Sequence, residues 1–150
     1  MTTPQQTRSD PGLATALRIS VSRLARRLRA ERQTKGLEPG LSDTQLAALA
    51  SLERHSTMTP GELADHEKVQ PPSMTRVIAA LEELGLVMRA PHATDRRQVV
   101  LTVTDRGREV VQQSRRLREE WLAKRLRELT PEERAALRAA APVLEKLSQS

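Results

Sequence analysis

Residues Gln70–Gly85 read QPPSMTRVIAALEELG, and Leu86–Thr104 continue as LVMRAPHATDRRQVVLTVT. Proline is tolerated only in the first turn of a helix, so Pro71 and Pro72 place a helix start immediately after Gln70. Met74, Val77, Ile78, Leu81 and Leu84 then fall on one apolar stripe, and Gly85 supplies the stop. Ser73, Thr75, Arg76 and Ala80 face elsewhere. Beyond Gly85, Leu86–Arg89 is short and apolar, and Pro91–Arg97 is a polar turn. Gln98–Thr104 is rich in β-branched residues, with Val99, Leu101 and Val103 alternating with Val100 and Thr102. The stretch therefore predicts a helix followed by a β-hairpin with a basic tip, the one β signal in the sequence.

Upstream, Thr59-Pro60-Gly61-Glu62 is a capping box with proline in the first turn. It opens a short helix that buries Leu63 and Ala64 and ends before Val69. Ser42-Asp43-Thr44-Gln45 is another capping box, opening a helix to about Arg54 with Leu46, Leu49 and Leu52 inward. Met1–Pro11 is polar and is expected to be a disordered tail. Leu13, Leu17, Val21, Leu24 and Leu28 then recur at helical spacing, with Gly36 as the expected stop. Downstream, Thr104 caps a helix whose apolar side is Val110, Val111, Leu117, Trp121, Leu122 and Leu126. Thr130-Pro131-Glu132-Glu133 starts a last helix carrying Leu137, Ala141, Leu144 and Leu147. Pro142 is expected to kink it or end its regular part.

A short helix, a turn, a Gly-terminated helix and a basic hairpin make a winged helix-turn-helix. The fold class is mostly α, with a two-stranded β wing. Such a helix fits the DNA major groove, with its N-terminal residues near base edges and phosphates. A hairpin beside it can follow the backbone and place arginine in the minor groove. Gln70, Ser73, Thr75 and Arg76 are the candidates on the helix: glutamine suits adenine, arginine suits guanine or phosphate, and the hydroxyls suit phosphate. Helix-surface packing or an ion pair is the plainer alternative for Thr75 and Arg76.

The chain has 150 residues, 25 Lys+Arg against 19 Asp+Glu, a formal net charge of +6 and no cysteine. The charge is uneven. Met1–Gly36 holds 8 basic and 2 acidic residues, Leu37–Gly85 holds 3 and 8, and Leu86–Arg108 holds 5 and 2. The acids of the middle segment avoid Gln70–Arg76, where the helix dipole adds partial positive charge. The excess of arginine over lysine suits nucleic acid, and GC-rich coding produces the same bias. Absence of cysteine excludes disulfides, thiolate chemistry and Cys-ligated zinc. No segment is long and apolar enough to span a membrane, and no signal peptide is visible, so a cytoplasmic protein is expected. His66-Glu67-Lys68-Val69-Gln70 lacks the second histidine of a His-Glu-x-x-His site. His55, His66 and His92 are not spaced as a local site. No enzyme, metal or cofactor is expected.

The run Leu63-Ala64, Val69, Thr75-Arg76, Leu81-Glu82, Gly85-Leu86-Val87 and Arg89 resembles the MarR family of bacterial transcriptional regulators. So do Asp95-Arg96-Arg97 with Leu101-Thr102, similar to that family's wing signature, and Asp105-Arg106-Gly107 at the next helix. The resemblance implies a homodimer on a pseudo-palindromic operator in double-stranded DNA. Arg97 would be the wing arginine entering the minor groove, and Asp95 would hold its guanidinium; a solvated tip with a weak surface ion pair is the alternative. Arg96 would meet phosphate or solvent.

The implied organisation is a tail and N-terminal dimerisation helix over 1–36, a winged lobe over 37–104 and C-terminal dimerisation helices over 105–150. Leu13, Leu17, Leu24, Leu126, Leu129, Leu144 and Leu147 are the candidate dimer residues, since long amphipathic helices expose more apolar surface than one small lobe covers. Arg18, Arg23, Arg26, Arg27, Arg29 and Arg32 are read as a solvated face pairing with Glu119, Glu120 or Glu128. Trp121 is expected to pack in the core of the dimer base, with lining of an effector pocket as the alternative. The family further implies repression relieved by a small phenolic or amphipathic effector. The alternative is a winged-helix protein-assembly module without an operator.

Overall fold

The computed structural model describes residues 7–34 and 41–150. Five of its helices start where a side-chain hydroxyl accepts an otherwise free N–H group. In α1 (Asp10–Thr34), Ser9 Oγ accepts from Gly12 N–H at 3.3 Å. This cap starts the helix before Pro11, earlier than the polar composition suggests, so Asp10 and Pro11 are helical rather than frayed. The tail before Thr7 and the expected stop at Gly36 lie outside the described residues. In α2 (Asp43–His55), α3 (Pro60–Glu67) and α6 (Pro131–Ser148), Ser42, Thr59 and Thr130 form the complete reciprocal capping boxes that the sequence predicts. Thr104 Oγ1 accepts from Gly107 N–H at 3.1 Å to open α5 (Asp105–Arg127). The exception is α4 (Pro71–Glu83), whose N-cap residue Gln70 makes no side-chain cap bond.

The hairpin forms from β2 (Val87–Pro91) and β3 (Val99–Val103), antiparallel, with Arg89 opposite Leu101 and Val87 opposite Val103. A further strand, β1 (Thr57–Met58), pairs with the other edge of β3, Met58 opposite Leu101. The sheet thus has three strands in the order β1-β3-β2, with the wing hairpin its two-stranded part. Two residues are too short to show an alternation, which is why β1 leaves no sequence signal. The expected end of the last helix at Pro142 does not occur; α6 runs on to Ser148. Proline removes one hydrogen bond there, but the preceding Ala139-Ala140-Ala141 run has high helix propensity.

The chain divides into two compact units. One spans Arg32–Arg116 and the other combines Met1–Glu31 with Leu117–Ser150. The first holds the whole buried core: Leu46, Leu49 and Leu52 of α2, Leu63 of α3, Met74, Ile78 and Leu81 of α4, Leu86, Leu101 and Val103 of the wing base, and Val110 and Val111 of α5. Each large side chain here contributes roughly 1.5–3 kcal/mol of burial. The second unit is different: none of its described residues is buried. Leu13, Val21, Leu24, Leu137, Val143, Leu144 and Leu147 are exposed large apolar residues on α1 and α6.

Within the first unit, α4 ends in a Schellman motif. Gly85 adopts φ +72°, its N–H donates to Glu82 O at 2.9 Å, and Leu86 N–H donates to Leu81 O at 2.9 Å. Leu81 and Leu86 are both fully buried beside this turn. Leu86 O then accepts from Thr104 N–H at 3.0 Å, and Thr104 Oγ1 donates to Gly85 O at 2.7 Å. Gly107 is what lets α5 lie against this junction. A Cβ there would stand 2.2 Å from Leu86 O and 2.6 Å from Val103 Cγ1. Gly107→Ala is expected to lower stability by about 1–3 kcal/mol through overpacking against backbone, read as a reduced midpoint in urea denaturation; an unchanged midpoint would show that α5 can shift freely.

Candidate nucleic-acid interface

The four helix candidates lie in the first turns of α4, and all of them are exposed: Gln70, Ser73, Thr75 and Arg76. Met74, Ile78 and Leu81 anchor the opposite side of α4 in the core. Gln70 is not consumed by capping, so its amide is available to a ligand. Thr75 is partly committed, because its Oγ1 donates to Pro71 O at 3.0 Å. Its one proton is engaged inside the helix, and it offers only lone pairs outward. Pro71 and Pro72 occupy the first two helical positions and have no N–H. Met74 N–H is already bonded to Gln70 O at 2.9 Å. Ser73 therefore carries the one N–H group of this first turn left over for an anion, and side chains must do most of any phosphate binding.

The wing tip is organised by Asp95 and by a residue that sequence reasoning missed, His92. His92 Nδ1 accepts from Thr94 N–H at 3.2 Å and from Asp95 N–H at 3.0 Å. Accepting at Nδ1 places the ring proton on Nε2. His92 N–H donates to Gln98 O at 3.2 Å, and Gln98 N–H donates to Asp95 O at 3.1 Å, closing the turn. Histidine is not a usual turn former, so no composition rule flags it. Asp95 Oδ1 accepts from the Arg97 backbone N–H at 3.0 Å, and from Arg97 Nε at a longer 3.4 Å. The Arg97 side chain is 93% exposed. An ion pair this open is weak, so Asp95 sets the backbone of the turn more than it clamps the guanidinium. Arg96 is exposed beside it. Behind the tip, Arg89 Nε donates to Glu82 Oε1 at 2.7 Å, tying β2 to the end of α4. That pair also neutralises one of the acids of α4.

In the other unit, Arg27 and Glu128 of the expected pairing find partners elsewhere. Arg27 pairs with Glu31 on its own helix at 3.6 Å, and Glu128 is taken by Arg125 at 3.0 Å. Arg27 and Arg125 each lie 5.6 Å from the centroid of the Trp121 ring, a cation–π arrangement. Trp121 is half-buried and lies outside the core cluster of the winged lobe. Among the candidate dimer residues, Leu13, Leu24, Leu144 and Leu147 are exposed, and Leu17, Leu126 and Leu129 are half-buried. Leu17 and Val21 of α1 face Ala141, Leu144 and Leu147 of α6 across an open groove of about 630 Å³.

Comparison with known proteins agrees with this geometry. Residues 41–99 match the model of the MarR family. The chain is 48% identical over 136 residues to an HTH-type transcriptional regulator of Mycobacterium bovis, covering 91% of this chain and 92% of that one. It is 29% identical over 143 residues to the HTH-type transcriptional repressor MdtR of Bacillus subtilis, covering 95% and 90%. A crystal structure from Pseudomonas aeruginosa superposes with a TM-score of 0.81 at 35% identity, over 96% of this chain and 99% of that one. The shared fold, the match across the winged lobe and the identity along nearly the full length establish that the chain belongs to the MarR family of DNA-binding, winged helix-turn-helix transcriptional regulators.

Proposed function

We propose that this protein is a cytoplasmic repressor that binds a pseudo-palindromic operator as a homodimer and releases it when a small phenolic or amphipathic anion binds. The observation that carries the DNA part is the wing tip, where Arg96 and Arg97 stand exposed on a turn held by His92 and Asp95. Arg97 is the minor-groove residue in this reading, with Arg96 on phosphate. Gln70 and Arg76 read base edges, and Ser73 and Thr75 meet the backbone, Thr75 as an acceptor only. Repression is favoured by the likeness to MdtR, a protein named as a repressor. The acidic stretch Leu37–Gly85 is what an assembly module would offer instead, but its acids leave Gln70–Arg76 clear.

The homodimer is supported by the second unit. Its apolar residues are exposed on α1 and α6 with no buried residue among those described, and a contiguous surface of this kind marks an association site. In this reading the base is made by 1–36 and 105–150, and the DNA-binding lobe by 37–104. Two recognition helices then enter successive major grooves roughly 34 Å apart.

Gel shift and footprinting on the protein's own promoter region, at two salt concentrations, test the proposal. A protected two-fold site whose affinity falls steeply with salt is expected. Absence of any shift would favour the assembly reading. Arg97→Ala is expected to weaken binding broadly and to flatten the slope of log K against log salt by roughly 1 for each phosphate that a subunit no longer neutralises; an unaltered slope would remove the wing from the interface. Leu144→Glu combined with Leu147→Glu is expected to shift the protein from dimer to monomer in sedimentation velocity, since a carboxylate is tolerated on an exposed helix but not in an apolar interface. A dimer that survives both changes would place the interface elsewhere. Salicylate-type anions added to the gel shift are expected to lower operator affinity; tight binding without such a loss would overturn the effector part.

A further inference from the structure

No turn rule singles out His92, and the fold uses it in a way that demands one protonation state. It is half-buried at the end of the wing hairpin, directly after β2. Its Nδ1 accepts from Thr94 N–H at 3.2 Å and from Asp95 N–H at 3.0 Å, and the Thr94 hydroxyl stands 3.4 Å from the same nitrogen. Backbone N–H groups cannot accept, so these two bonds require a lone pair on Nδ1. An imidazolium carries a hydrogen on both nitrogens, and turning the ring restores no acceptor. Protonated His92 therefore makes neither bond.

Those two bonds are the first link of a chain that ends at Arg97. They hold Thr94 and Asp95 in the turn. Asp95 O then accepts from Gln98 N–H at 3.1 Å, and Asp95 Oδ1 accepts from Arg97 N–H at 3.0 Å. The Arg97 side chain has only its open 3.4 Å contact with Asp95, so the backbone beneath it sets its direction. The charged groups around the ring offer no second acceptor. In the turn they are Asp95, Arg96 and Arg97. β2 carries Arg89, β3 carries none, and α4, the helix packed on β2, carries Arg76, Glu82 and Glu83. Glu82 is taken by Arg89, and the Asp95 carboxylate by Arg97. Among the described residues, no side chain of the hydrophobic core belongs to the tip. Hydrogen bonds rather than buried apolar contacts keep its shape.

We propose that His92 is a positioning residue for the wing: its neutral Nδ1 holds the turn that presents Arg97 to DNA, and protonation releases that turn and weakens DNA binding. The inference rests on the reading of the wing as a DNA contact. Histidine changes charge between about pH 5 and 8, so the turn is held at the alkaline end of that range and loosens as pH falls. The sign separates this role from simple charge, because a histidine that only met phosphate would bind more tightly when protonated. Asparagine supplies the comparison. Its Oδ1 stands as many bonds from Cα as the imidazole Nδ1 does, and asparagine accepts from its own backbone two residues on. It does not titrate.

The test titrates the full-length protein with a duplex of its own promoter region, by fluorescence anisotropy at constant ionic strength, at about pH 8 and about pH 5.5. On acidification the parent protein is expected to lose about threefold to tenfold more affinity than His92→Asn does, the range that one net hydrogen bond is worth. His92→Asn keeps the parent's affinity at the higher pH. His92→Ala is weaker there, and adds less than about a twofold loss when Arg97 is already alanine, since both changes act through one side chain. His55 and His66 titrate in every variant, so the difference belongs to residue 92. Without DNA, the Thr94 and Asp95 amide resonances of the parent are expected to move with pH through the imidazole titration, and those of His92→Asn to stay. Tighter binding by the parent at the lower pH, equal pH profiles of the parent and His92→Asn, or Thr94 and Asp95 amides indifferent to pH each overturn the proposal. Amides that titrate while Arg97→Ala leaves affinity unaltered, or while the parent binds no promoter DNA, overturn the wing's part in DNA binding and leave the hold of His92 on the turn standing. Circular dichroism of His92→Ala separates a loosened turn from a lost fold.

Discussion

The fold of the winged lobe depends on the close approach of α5 to the backbone of Leu86. Gly107 makes that approach possible, because any side chain there would meet Leu86 O and Val103. Around this contact, Thr104 makes two bonds at once. Its N–H reaches Leu86 O and its hydroxyl reaches Gly85 O, so the C-terminus of α4, the start of β2 and the start of α5 share one small set of hydrogen bonds. Leu86 and Leu81 are buried directly beneath it. The recognition helix and the wing are therefore positioned from the same point. Movement of one relative to the other would break the bonds from Thr104 to Leu86 O and Gly85 O.

That rigid base contrasts with the chemistry at the far end of α4. Helix N-termini usually bind anions through free backbone N–H groups, and here two of those groups are replaced by proline. The helix dipole remains, but in the proposed complex recognition falls to the exposed side chains of Gln70, Ser73 and Arg76. The wing shows the opposite economy. Backbone groups at Thr94, Asp95, Arg97 and Gln98 are all bonded within the turn, leaving the guanidinium of Arg97 extended with little to hold it. In the proposed complex an arginine presented in this way would lose conformational freedom on binding, so any affinity from the wing would come chiefly from charge and counterion release.

Much of this was legible in the sequence for definite reasons. The three capping boxes at Ser42, Thr59 and Thr130 name both partners of a local bond, and each formed as written. The stripe Met74, Ile78 and Leu81 faces the core because helical periodicity and burial agree. What was illegible is long-range or idiosyncratic. Strand β1 is two residues long and exists because β3 has an edge to offer. Lys68 ends α3 in the left-handed conformation usually taken by glycine, with Val69 N–H bonded to Ala64 O at 3.0 Å, so tertiary packing overrides a local preference. His92 acts as a backbone acceptor, a role no turn rule assigns to it. His55 and His66 meet only after α2 and α3 fold against each other.

The net charge of +6 is the feature most easily misread. Its largest local excess lies in Met1–Gly36, the stretch that contains α1, in a unit with no buried residue among those described; there Arg27 is engaged by Glu31 and by the face of Trp121. Charge used in that way is screened from a distant polyanion, and interactions beyond a Debye length of about 8–10 Å fade at physiological salt. A DNA-binding surface is therefore defined by where cations stand free rather than by their sum. On the winged lobe Arg76 and Arg96 are exposed and Arg97 is held only by its long, open ion pair with Asp95, while Arg89 and Arg108 are tied to Glu82 and Asp105 and serve the architecture. The same comparison explains why an acidic segment does not oppose DNA binding: Glu67 is bonded to the Ser51 hydroxyl and Glu82 to Arg89, and Glu62 is engaged by the backbone N–H of Thr59. Three of the acids nearest α4 in sequence thus act inside the lobe as caps and ties, which leaves the first turn of α4 with no negative charge to repel phosphate.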